Sequence, residues 1–261
     1  MLALLAGWAC GLAAAPASAC VKRLRWNDDP PYSMRLPDGR VGGWSVELAE
    51  AVLQRMGCRM ELQEMPFARA LAELKAGRLD MLDGAFALPE RQVYAHFSAP
   101  LVRTRNLVFI RAADLPRFQA QQLADLHRAD WRFGAQVGVV YGPAYAALQQ
   151  DEGFRAKLQL VPRRTSLWLM LARGRVDVVM ADEMTAAYEI AAAGLQGTVV
   201  ATPLVVSDGA ASMAFSKATT DPAFVQRYDA TLQAMWRDGS LQALLRHYGM
   251  PGAGSPVPPR P

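Results

Sequence analysis

The chain has 261 residues, of which 52% are hydrophobic and 20% are charged, and its formal net charge is +4. This composition is that of a globular protein long enough for one large or two modest domains, and it excludes disorder of the whole chain. The arginines are scattered, with no run of five or more basic residues, which argues against a nucleic-acid-binding surface.

The first nineteen residues carry no charge and have the pattern of a secretory signal peptide. An apolar stretch from Leu2 to Ala15 is followed by Pro16 and the small residues Ala17-Ser18-Ala19, which favours cleavage after Ala19. The stretch is shorter than the roughly 20 residues that span a bilayer, although the basic residues that usually precede such a segment are missing. A buried helix is the alternative. We predict export, with residues 1–19 removed.

Export decides which cysteines remain, because Cys10 would leave with the signal peptide. Cys20 and Cys58 each lie just before a predicted strand, and neighbouring parallel strands would bring them close enough for a disulfide. An oxidising compartment would preserve that bond. Two alternatives stay open. Cys20 could carry a lipid, although Ala17 stands where a lipobox usually has leucine, or the two cysteines could be buried free thiols.

The predicted elements of the first half alternate between strands and helices. A strand over 23–26 is followed by a loop containing Pro30 and Pro31, which cannot donate backbone hydrogen bonds. Apolar residues at helical spacing predict a helix over 44–56 that ends at Gly57. The pattern continues with a strand over 60–65, a helix opened by Pro66, a strand through Met81 and Leu82, a loop over 83–88, a short helix starting at Pro89 and an apolar segment over 107–110 that crosses towards a second lobe.

The second half repeats this alternation. Its predicted elements are strands over 133–137, 158–161 and 176–180, helices over 143–150 and 186–193, a short strand over 212–215, and helices over 222–237 and 241–248. The last two helices are amphipathic and are predicted to rejoin the first lobe. The tail over 251–261 holds five prolines and is predicted to be disordered.

A four-residue pattern, Gly-Arg-aliphatic-Asp, occurs at 77–80 and again at 174–177. Each copy follows a helix-like segment and precedes a short apolar segment that suits a buried strand. The duplication predicts two α/β lobes of similar design, with a cleft between them where a small ligand would bind. The two aspartates of the pattern, Asp80 and Asp177, are predicted to be structural.

The order and spacing of short motifs over 24–249 resemble those of the bacterial periplasmic solute-binding proteins of family 3, the polar amino-acid class. The motifs are Leu24-Arg25 with Pro31-Tyr32, Asp38-Gly39-Arg40-Val41-Gly42-Gly43-Trp44, Val46-Glu47-Leu48-Ala49, Met65-Pro66-Phe67, both Gly-Arg-aliphatic-Asp segments, Pro89-Glu90-Arg91-Gln92, Phe97-Ser98-Ala99-Pro100, Ala181-Asp182 and Asp238-Gly239-Ser240-Leu241. The resemblance implies a two-lobed type II periplasmic-binding-protein fold, an α/β fold in which each lobe is a mostly parallel sheet flanked by helices and two crossover strands join the lobes.

The resemblance also implies the domain organisation and the function. Lobe 1 would be discontinuous, with residues 20–110 and 206–250, and lobe 2 would take residues 111–205. The chain would be a periplasmic monomer that closes on a small polar solute, an amino acid or a similar organic acid, and delivers it to an ABC-type membrane permease. No cofactor and no metal are expected.

Two other functions are kept as alternatives. One is a soluble sensor that passes its ligand state to a membrane partner. The other, which the residues favour less, is a periplasmic cyclohexadienyl-type dehydratase, which needs a carboxylic acid as proton donor. Asp83, Asp182 or Glu183 could supply it, but no known catalytic motif is present, so the prediction is that the chain is not an enzyme.

Two residues match the ligand-binding positions of the family. Arg91 matches the arginine that binds the solute's carboxylate, a suitable role for a planar guanidinium beside a helix N-terminus. Its alternative is an ion pair at the surface or between helices. Asp182 matches the carboxylate that binds the amino group, and it could also be the N-cap of the following helix.

Other positions depart from the family pattern. Phe86 stands where the family usually has Ser or Thr, and Val139-Val140 after Gly138 stand where it has Thr-Thr, so two hydroxyl donors to a carboxylate are missing. A solute unlike a standard amino acid is therefore predicted. The remaining candidates are Tyr32, Trp44 and Phe67 as the aromatic that stacks on the ligand, Arg69 as a cation pointing into the cleft, and Gly84.

Overall fold

A computed structural model of the chain describes residues 20–100, 102–139 and 141–248. The predicted signal peptide, the predicted disordered tail and the candidate residue Val140 therefore lie outside the described residues. Within the described ranges, no helix is long and apolar enough to cross a bilayer.

The first lobe alternates strands and helices from the N-terminal end of the described chain. Its elements are β1 (Val21–Trp26), β2 (Met34–Arg35), β3 (Val41–Gly42), α1 (Trp44–Arg55), β4 (Arg59–Glu64), α2 (Phe67–Lys75), β5 (Met81–Ala85), α3 (Pro89–Gln92) and β6 (Ala95–Phe97). β1 is the central strand of a parallel sheet in the order β4-β1-β5. β2 and β3 form a small antiparallel pair of their own.

Two long strands then cross between the lobes. β7 (Val102–Arg111) and β11 (Val199–Ser216) run antiparallel, and their pairing extends from Val102 opposite Ala211 to Arg111 opposite Val199. β11 also pairs with β5 and β6 of the first lobe, whereas β7 leads into the second. The predicted lobe boundaries, between residues 110 and 111 and between 205 and 206, fall within these strands and stay a prediction.

The length of β11 corrects the sequence-based expectation, which placed only a short strand over 212–215. The strand has 18 residues, but most side chains of its first two thirds are exposed or half-buried. Only Val199 and Leu204 of that stretch are core members of the apolar clusters of the second lobe, so the stretch lacks the regular apolar alternation by which strands are predicted.

The second lobe has the same design as the first. After a 3₁₀ helix (Ala112–Arg117), its elements are α4 (Leu123–Arg128), β8 (Phe133–Gln136), α5 (Pro143–Leu148), α6 (Glu152–Ala156), β9 (Leu158–Val161), α7 (Arg164–Ala172), β10 (Val178–Asp182) and α8 (Glu183–Ala192). β8 is central in the parallel set β10-β8-β9, and β10 pairs antiparallel with β7. The two lobes and two crossover strands confirm the implied fold class.

The chain ends on the first lobe with α9 (Pro222–Arg237) and α10 (Ser240–His247). Phe224, Tyr228 and Leu232 of α9 are buried in one apolar cluster with Leu24 of β1 and Leu48 of α1. Burial of large side chains at this helical spacing is the main source of stability for such a helix.

Cys20 and Cys58 form a disulfide, with 4.5 Å between their Cα atoms. The parallel pairing of β1 and β4 places Val21 opposite Arg59, so the residues just before the two strands lie side by side. The predicted disulfide is confirmed, and because both sulfurs are bonded to each other, neither is a free thiol nor available for a lipid.

The Gly-Arg-aliphatic-Asp repeat has the same structural role in each lobe. Arg23 on β1 donates to Asp80 from its backbone N and its Nε, both at 2.8 Å, and to the glycine carbonyl of that segment at 3.0 Å. Arg132, just before β8, donates to Asp177 from its backbone N (3.1 Å) and Nε (2.8 Å), and to the corresponding glycine carbonyl at 2.6 Å. Each pair ties the start of one parallel strand to the start of its neighbour.

Candidate functional site

A cleft of about 590 Å³ lies between the two lobes. Its walls are formed by the loop after β1, the end of β5, the loop after β8 and the end of β10. These are the carboxyl ends of parallel strands, where open α/β sheets present polar groups to a ligand. The cleft is therefore the candidate functional site.

Most of the predicted site residues line this cleft. Arg91 faces it from the first lobe and Asp182 from the second. The other predicted residues in its lining are Tyr32, Trp44, Phe67, Gly84, Phe86, Gly138 and Val139. The fold has thus brought together residues far apart in sequence, but what each does for a ligand stays a prediction.

Arg69 is an exception, because the structure places it on the outer surface of α2. Its side chain is 69% exposed, and its Nε lies 3.8 Å from Glu73 Oε1, one helical turn further on. The buried face of α2 carries Ala70 and Leu74. A residue next to Ala70 is rotated away from that face by about 100°, so Arg69 does not supply the predicted cation in the cleft.

Arg91 has few protein partners. Its Nη1 donates to the carbonyl of Phe86 at 3.3 Å, and its guanidinium carbon lies 5.7 Å from the centre of the Phe67 ring. No carboxylate of the described chain forms an ion pair with it, so the alternative predicted for Arg91 is not observed. Most of its five N–H donors are available to a ligand.

Asp182 is both the N-cap of α8 and a lining residue of the cleft. Its Oδ1 accepts hydrogen bonds from the backbone N of Met184 (3.1 Å) and of Thr185 (3.0 Å), and from the phenol of Tyr32 (3.1 Å). Its Oδ2 is buried, and no atom of the described residues donates to it. Burial raises the pKa of Asp182 above its ordinary value. One oxygen thus serves the fold while the other lacks a partner.

A second guanidinium, that of Arg25, lies in the floor of the cleft. Its side chain is 8% exposed, its Nε donates to the carbonyl of Met65 at 3.0 Å, and its Nη1 is 3.8 Å from Asp83 Oδ1. The guanidinium carbon of Arg25 also lies 5.7 Å from the centre of the Phe67 ring. Because Arg91 is at the same distance, Phe67 is flanked by two cations, an arrangement that its π-electrons favour.

Asp83 at the end of β5 is buried beside Arg25. The Oγ of Ser45 is 2.5 Å from Asp83 Oδ2 and 2.9 Å from the carbonyl oxygen of Tyr32. Burial raises the pKa of Asp83, and Arg25 and Ser45 act in the opposite direction. Sequence analysis considered Asp83 only as a proton donor for the dehydratase alternative. The structure places it in the lining of the cleft, a position that does not depend on which function is correct.

Arg164 at the start of α7 joins the two lobes. Its Nη2 is 2.7 Å from Asp29 Oδ1 in the loop after β1, and its Nε is 2.9 Å from Glu189 Oε2 in α8. Trp168 Nε1 donates to the same Glu189 oxygen at 2.6 Å. This ion-pair network and the bond from Tyr32 to Asp182 are two polar connections across the cleft.

The positions that lack the family's hydroxyls are occupied by apolar side chains, as the sequence indicated. Phe86 packs against the crossover strand β11, where a Cβ on Gly209 would come within 2.7 Å of its ring. Serine and threonine residues nevertheless line the cleft at other positions, namely Ser45, Thr104 and Thr185.

Sequence reasoning missed several polar residues of the cleft. They are Arg25, Asn27, Asp29, Ser45, Gln136 and Arg164. A usable signal existed for some of them, because Asn27 and Gln136 lie at the predicted carboxyl ends of parallel strands, where ligands bind. Within the described part of the chain, no group of His, Cys, Asp or Glu side chains could hold a metal ion.

Comparison with known proteins gives one family. The model of bacterial extracellular solute-binding proteins, family 3, matches residues 25–251. The chain is 26% identical over 229 residues to the L-cystine-binding protein TcyJ of Escherichia coli strain K12. The matched region covers 82% of this chain and 77% of that protein. It is also 26% identical over 223 residues to the arginine-binding extracellular protein ArtP of Bacillus subtilis, covering 85% and 82%.

Solved structures agree on the fold. A histidine kinase sensor domain with similarity to periplasmic binding proteins superposes with a TM-score of 0.72 at 21% identity, covering 88% of this chain and 96% of that domain. Sequence matches over 61% of the chain include a virulence sensor protein of Bordetella pertussis and a cyclohexadienyl dehydratase of Pseudomonas aeruginosa. The relatives thus include two binding proteins, a sensor protein and a dehydratase.

Proposed function

Because the chain belongs to the bacterial extracellular solute-binding proteins of family 3, we propose that it captures a small polar solute, an amino acid or a similar organic acid, in the cleft between its lobes. Capture takes place in the periplasm, and the loaded protein is recognised by an ABC-type permease in the membrane. The names of two relatives that cover most of the chain, an L-cystine-binding and an arginine-binding protein, support an amino-acid-like solute.

One observation carries this proposal, namely that unpaired groups of opposite charge line the same cleft from different lobes. Arg91 has no carboxylate partner among the described residues, and Asp182 Oδ2 accepts no hydrogen bond from them. A carboxylate is the best partner for the guanidinium fork, and an ammonium group is the best partner for a buried carboxylate oxygen. A solute carrying both groups satisfies both lobes at once, which stabilises the closed arrangement.

A thermal-shift panel tests the proposal on the mature chain from residue 20 onwards. The panel holds amino acids, keto acids, diamines and small dicarboxylates, each added at increasing concentration. A ligand that binds only the folded state at 100 times its Kd adds about 2.7 kcal/mol to the free energy of unfolding. We expect stabilisation by solutes that have both a carboxylate and an amino group, and absence of any response would overturn solute capture.

The membrane partner needs a separate test, because a sensor would bind the same solutes. Membrane vesicles from the bacterium that produces this protein should take up the stabilising solute only when the purified protein is added. Solute-dependent binding to a membrane kinase, without uptake, would instead establish the sensor alternative.

A further inference from the structure

The guanidinium of Arg164 lies between a carboxylate of each lobe. Within the second lobe, its Nε is 2.9 Å from Glu189 Oε2 and its Nη2 is 3.1 Å from Glu189 Oε1, which is a two-point contact. Across the cleft, the same Nη2 is 2.7 Å from Asp29 Oδ1. The exposed fractions of the three side chains are 13% for Arg164, 7% for Glu189 and 35% for Asp29. One largely buried cation is therefore shared between the lobes.

The contact of Arg164 with Glu189 is firmly built into the second lobe. Trp168 Nε1 donates to Glu189 Oε2 at 2.6 Å, so α7 and α8 are tied together at this carboxylate. Burial opposes the charge of Arg164, but Asp29 and Glu189 outweigh it and raise the pKa of the guanidinium. Separating a buried carboxylate from its cation is costly. Arg164 therefore stays with Glu189 in every arrangement of the lobes.

Asp29 belongs just as firmly to the first lobe. Its backbone N donates to the carbonyl of Ser33 at 2.8 Å, and its carbonyl accepts from the backbone N of Tyr32 at 3.0 Å. The backbone N of Ser45, in α1, donates to the carbonyl of Tyr32 at 2.9 Å, which ties this turn to the helix. The same turn carries the phenol that meets Asp182. Both polar connections across the cleft thus come from one turn that moves with the first lobe.

Sharing the cation makes separation of the lobes easy. When the lobes part, Asp29 is hydrated and Arg164 keeps Glu189, so neither lobe is left with a buried charge that lacks a partner. If Glu189 carried no charge, parting would leave Arg164 as a largely buried cation without an anion. The open arrangement would then lose stability relative to the closed one, in which Asp29 remains close.

We propose that Glu189 is a positioning residue that sets the strength of an interlobe latch, formed by Asp29 and Arg164, by supplying the carboxylate that Arg164 keeps when the lobes part. The two acids on one cation then have opposite effects. Neutralising Asp29 favours the open arrangement, whereas neutralising Glu189 favours the closed one. The consequence for solute affinity rests on the proposed function, since a solute held by both lobes binds the closed arrangement.

Glu189→Gln tests the latch in a protein that already carries Tyr32→Phe, because loss of the other interlobe bond leaves a larger open fraction to be shifted. Small-angle X-ray scattering without added solute should give a smaller radius of gyration than for Tyr32→Phe alone. The Kd of the panel solute that stabilises most should fall about threefold to fivefold, as more of the protein is competent to bind. Asp177→Asn is the matched control, because Asp177 is an equally buried acid of the second lobe, paired with arginines outside the latch. It should leave the radius unchanged.

The effect of Glu189→Gln should depend on Asp29. When Asp29→Asn is also present, Glu189→Gln should no longer reduce the radius or the Kd, because the closed arrangement then has no anion for Arg164 either. A reduction that persists without the Asp29 charge would overturn the latch. So would an unchanged or larger radius for Glu189→Gln while Asp29 is intact.

Circular dichroism and thermal melting show whether Glu189→Gln is folded. We expect it to melt at a lower temperature and yet bind more tightly, a combination that a purely structural role does not give. If it does not fold, Asp29→Asn in the same background provides the test. Its melting temperature should stay within a few degrees, because Arg164 keeps Glu189, and a large drop would overturn the shared cation. No response to any panel solute would overturn solute capture alone, since the radius is measured without solute.

Discussion

The phenol of Tyr32 donates a hydrogen bond across the cleft to Asp182, with 3.1 Å between the two oxygens. Burial and the neighbouring carboxylate raise the pKa of Tyr32, so the phenol stays protonated and remains a donor. The bond is made to the same oxygen that caps α8, and the other oxygen of Asp182 accepts no hydrogen bond from the described residues. The contact between the lobes and the proposed contact to the solute therefore share a single carboxylate.

Tyr32→Phe should weaken solute binding without unfolding the protein. The variant keeps the ring and its edge contact with Trp44 but loses about 1 kcal/mol of closed-state stabilisation, or about fivefold in Kd. Titration calorimetry with the panel solute that stabilises most gives the value. Tyr188→Phe, at an exposed tyrosine of α8, is the matched control. An unchanged Kd for Tyr32→Phe would mean that this bond does not contribute to closure.

Asp29→Asn should shift the ligand-free protein towards a more open arrangement. It removes the charge by which the first lobe attracts Arg164, whereas Arg164 keeps its partner Glu189 within the second lobe. Small-angle X-ray scattering should show a larger radius of gyration than for the intact protein. Asp38→Asn, which breaks an exposed ion pair with Arg40 inside one lobe, should leave the radius as it is. The same radius in both variants would contradict an interlobe role for Asp29.

Arg91→Ala should strongly weaken binding of carboxylate solutes while the melting temperature stays within a few degrees. Loss of a charge-assisted contact costs about 1.5–3 kcal/mol, or roughly tenfold to a hundredfold in Kd. The melting temperature is maintained because Arg91 has no ion pair within the described chain to lose. Arg69→Ala is the matched control, since its side chain is exposed on α2. A large drop in melting temperature for Arg91→Ala would assign Arg91 to the fold.

Asp177→Asn should destabilise the protein in a pH-dependent way. Burial opposes ionisation of Asp177, but hydrogen bonds from Arg132 and Arg111 outweigh it and hold the pKa well below its ordinary value. Replacement should cost about 2–4 kcal/mol near pH 7, as for a buried ion pair that loses one partner. Urea unfolding of both proteins between pH 7 and pH 2.5 measures this difference.

The sign of that pH dependence follows from the lowered pKa. The stabilisation by Asp177 is complete above the unfolded-state pKa of about 4 and is lost as the pH falls through the lower folded-state value. The difference in unfolding free energy between the two proteins should therefore be constant from pH 7 to about pH 5 and should become smaller below pH 5. A difference that grows on acidification would be inconsistent with an ionised, paired Asp177.

Much of the architecture could be predicted from local patterns. Residues close together in the sequence are enough to recognise the alternation of strands and helices and the duplicated Gly-Arg-aliphatic-Asp segment. They also place Cys20 and Cys58 just before two neighbouring strands. Arg69 shows the limit of such reasoning. It lies close in sequence to Phe67 of the cleft, yet the rotation of the helix between the two positions turns it to solvent.

The sequence by itself determined the two-lobed fold, the disulfide and the segments that meet at the cleft, because apolar periodicity and turn residues act over short stretches of chain. Only the tertiary structure decided which polar atoms in that cleft have partners. Arg164 meets Asp29 across 135 positions, Tyr32 meets Asp182 across 150, and Ser45 meets Asp83 across 38. Each contact depends on how separate elements pack in space. The oxygens of Asp83 and Asp182 that lack a hydrogen-bond donor can therefore be identified only when the positions of the surrounding donors are known.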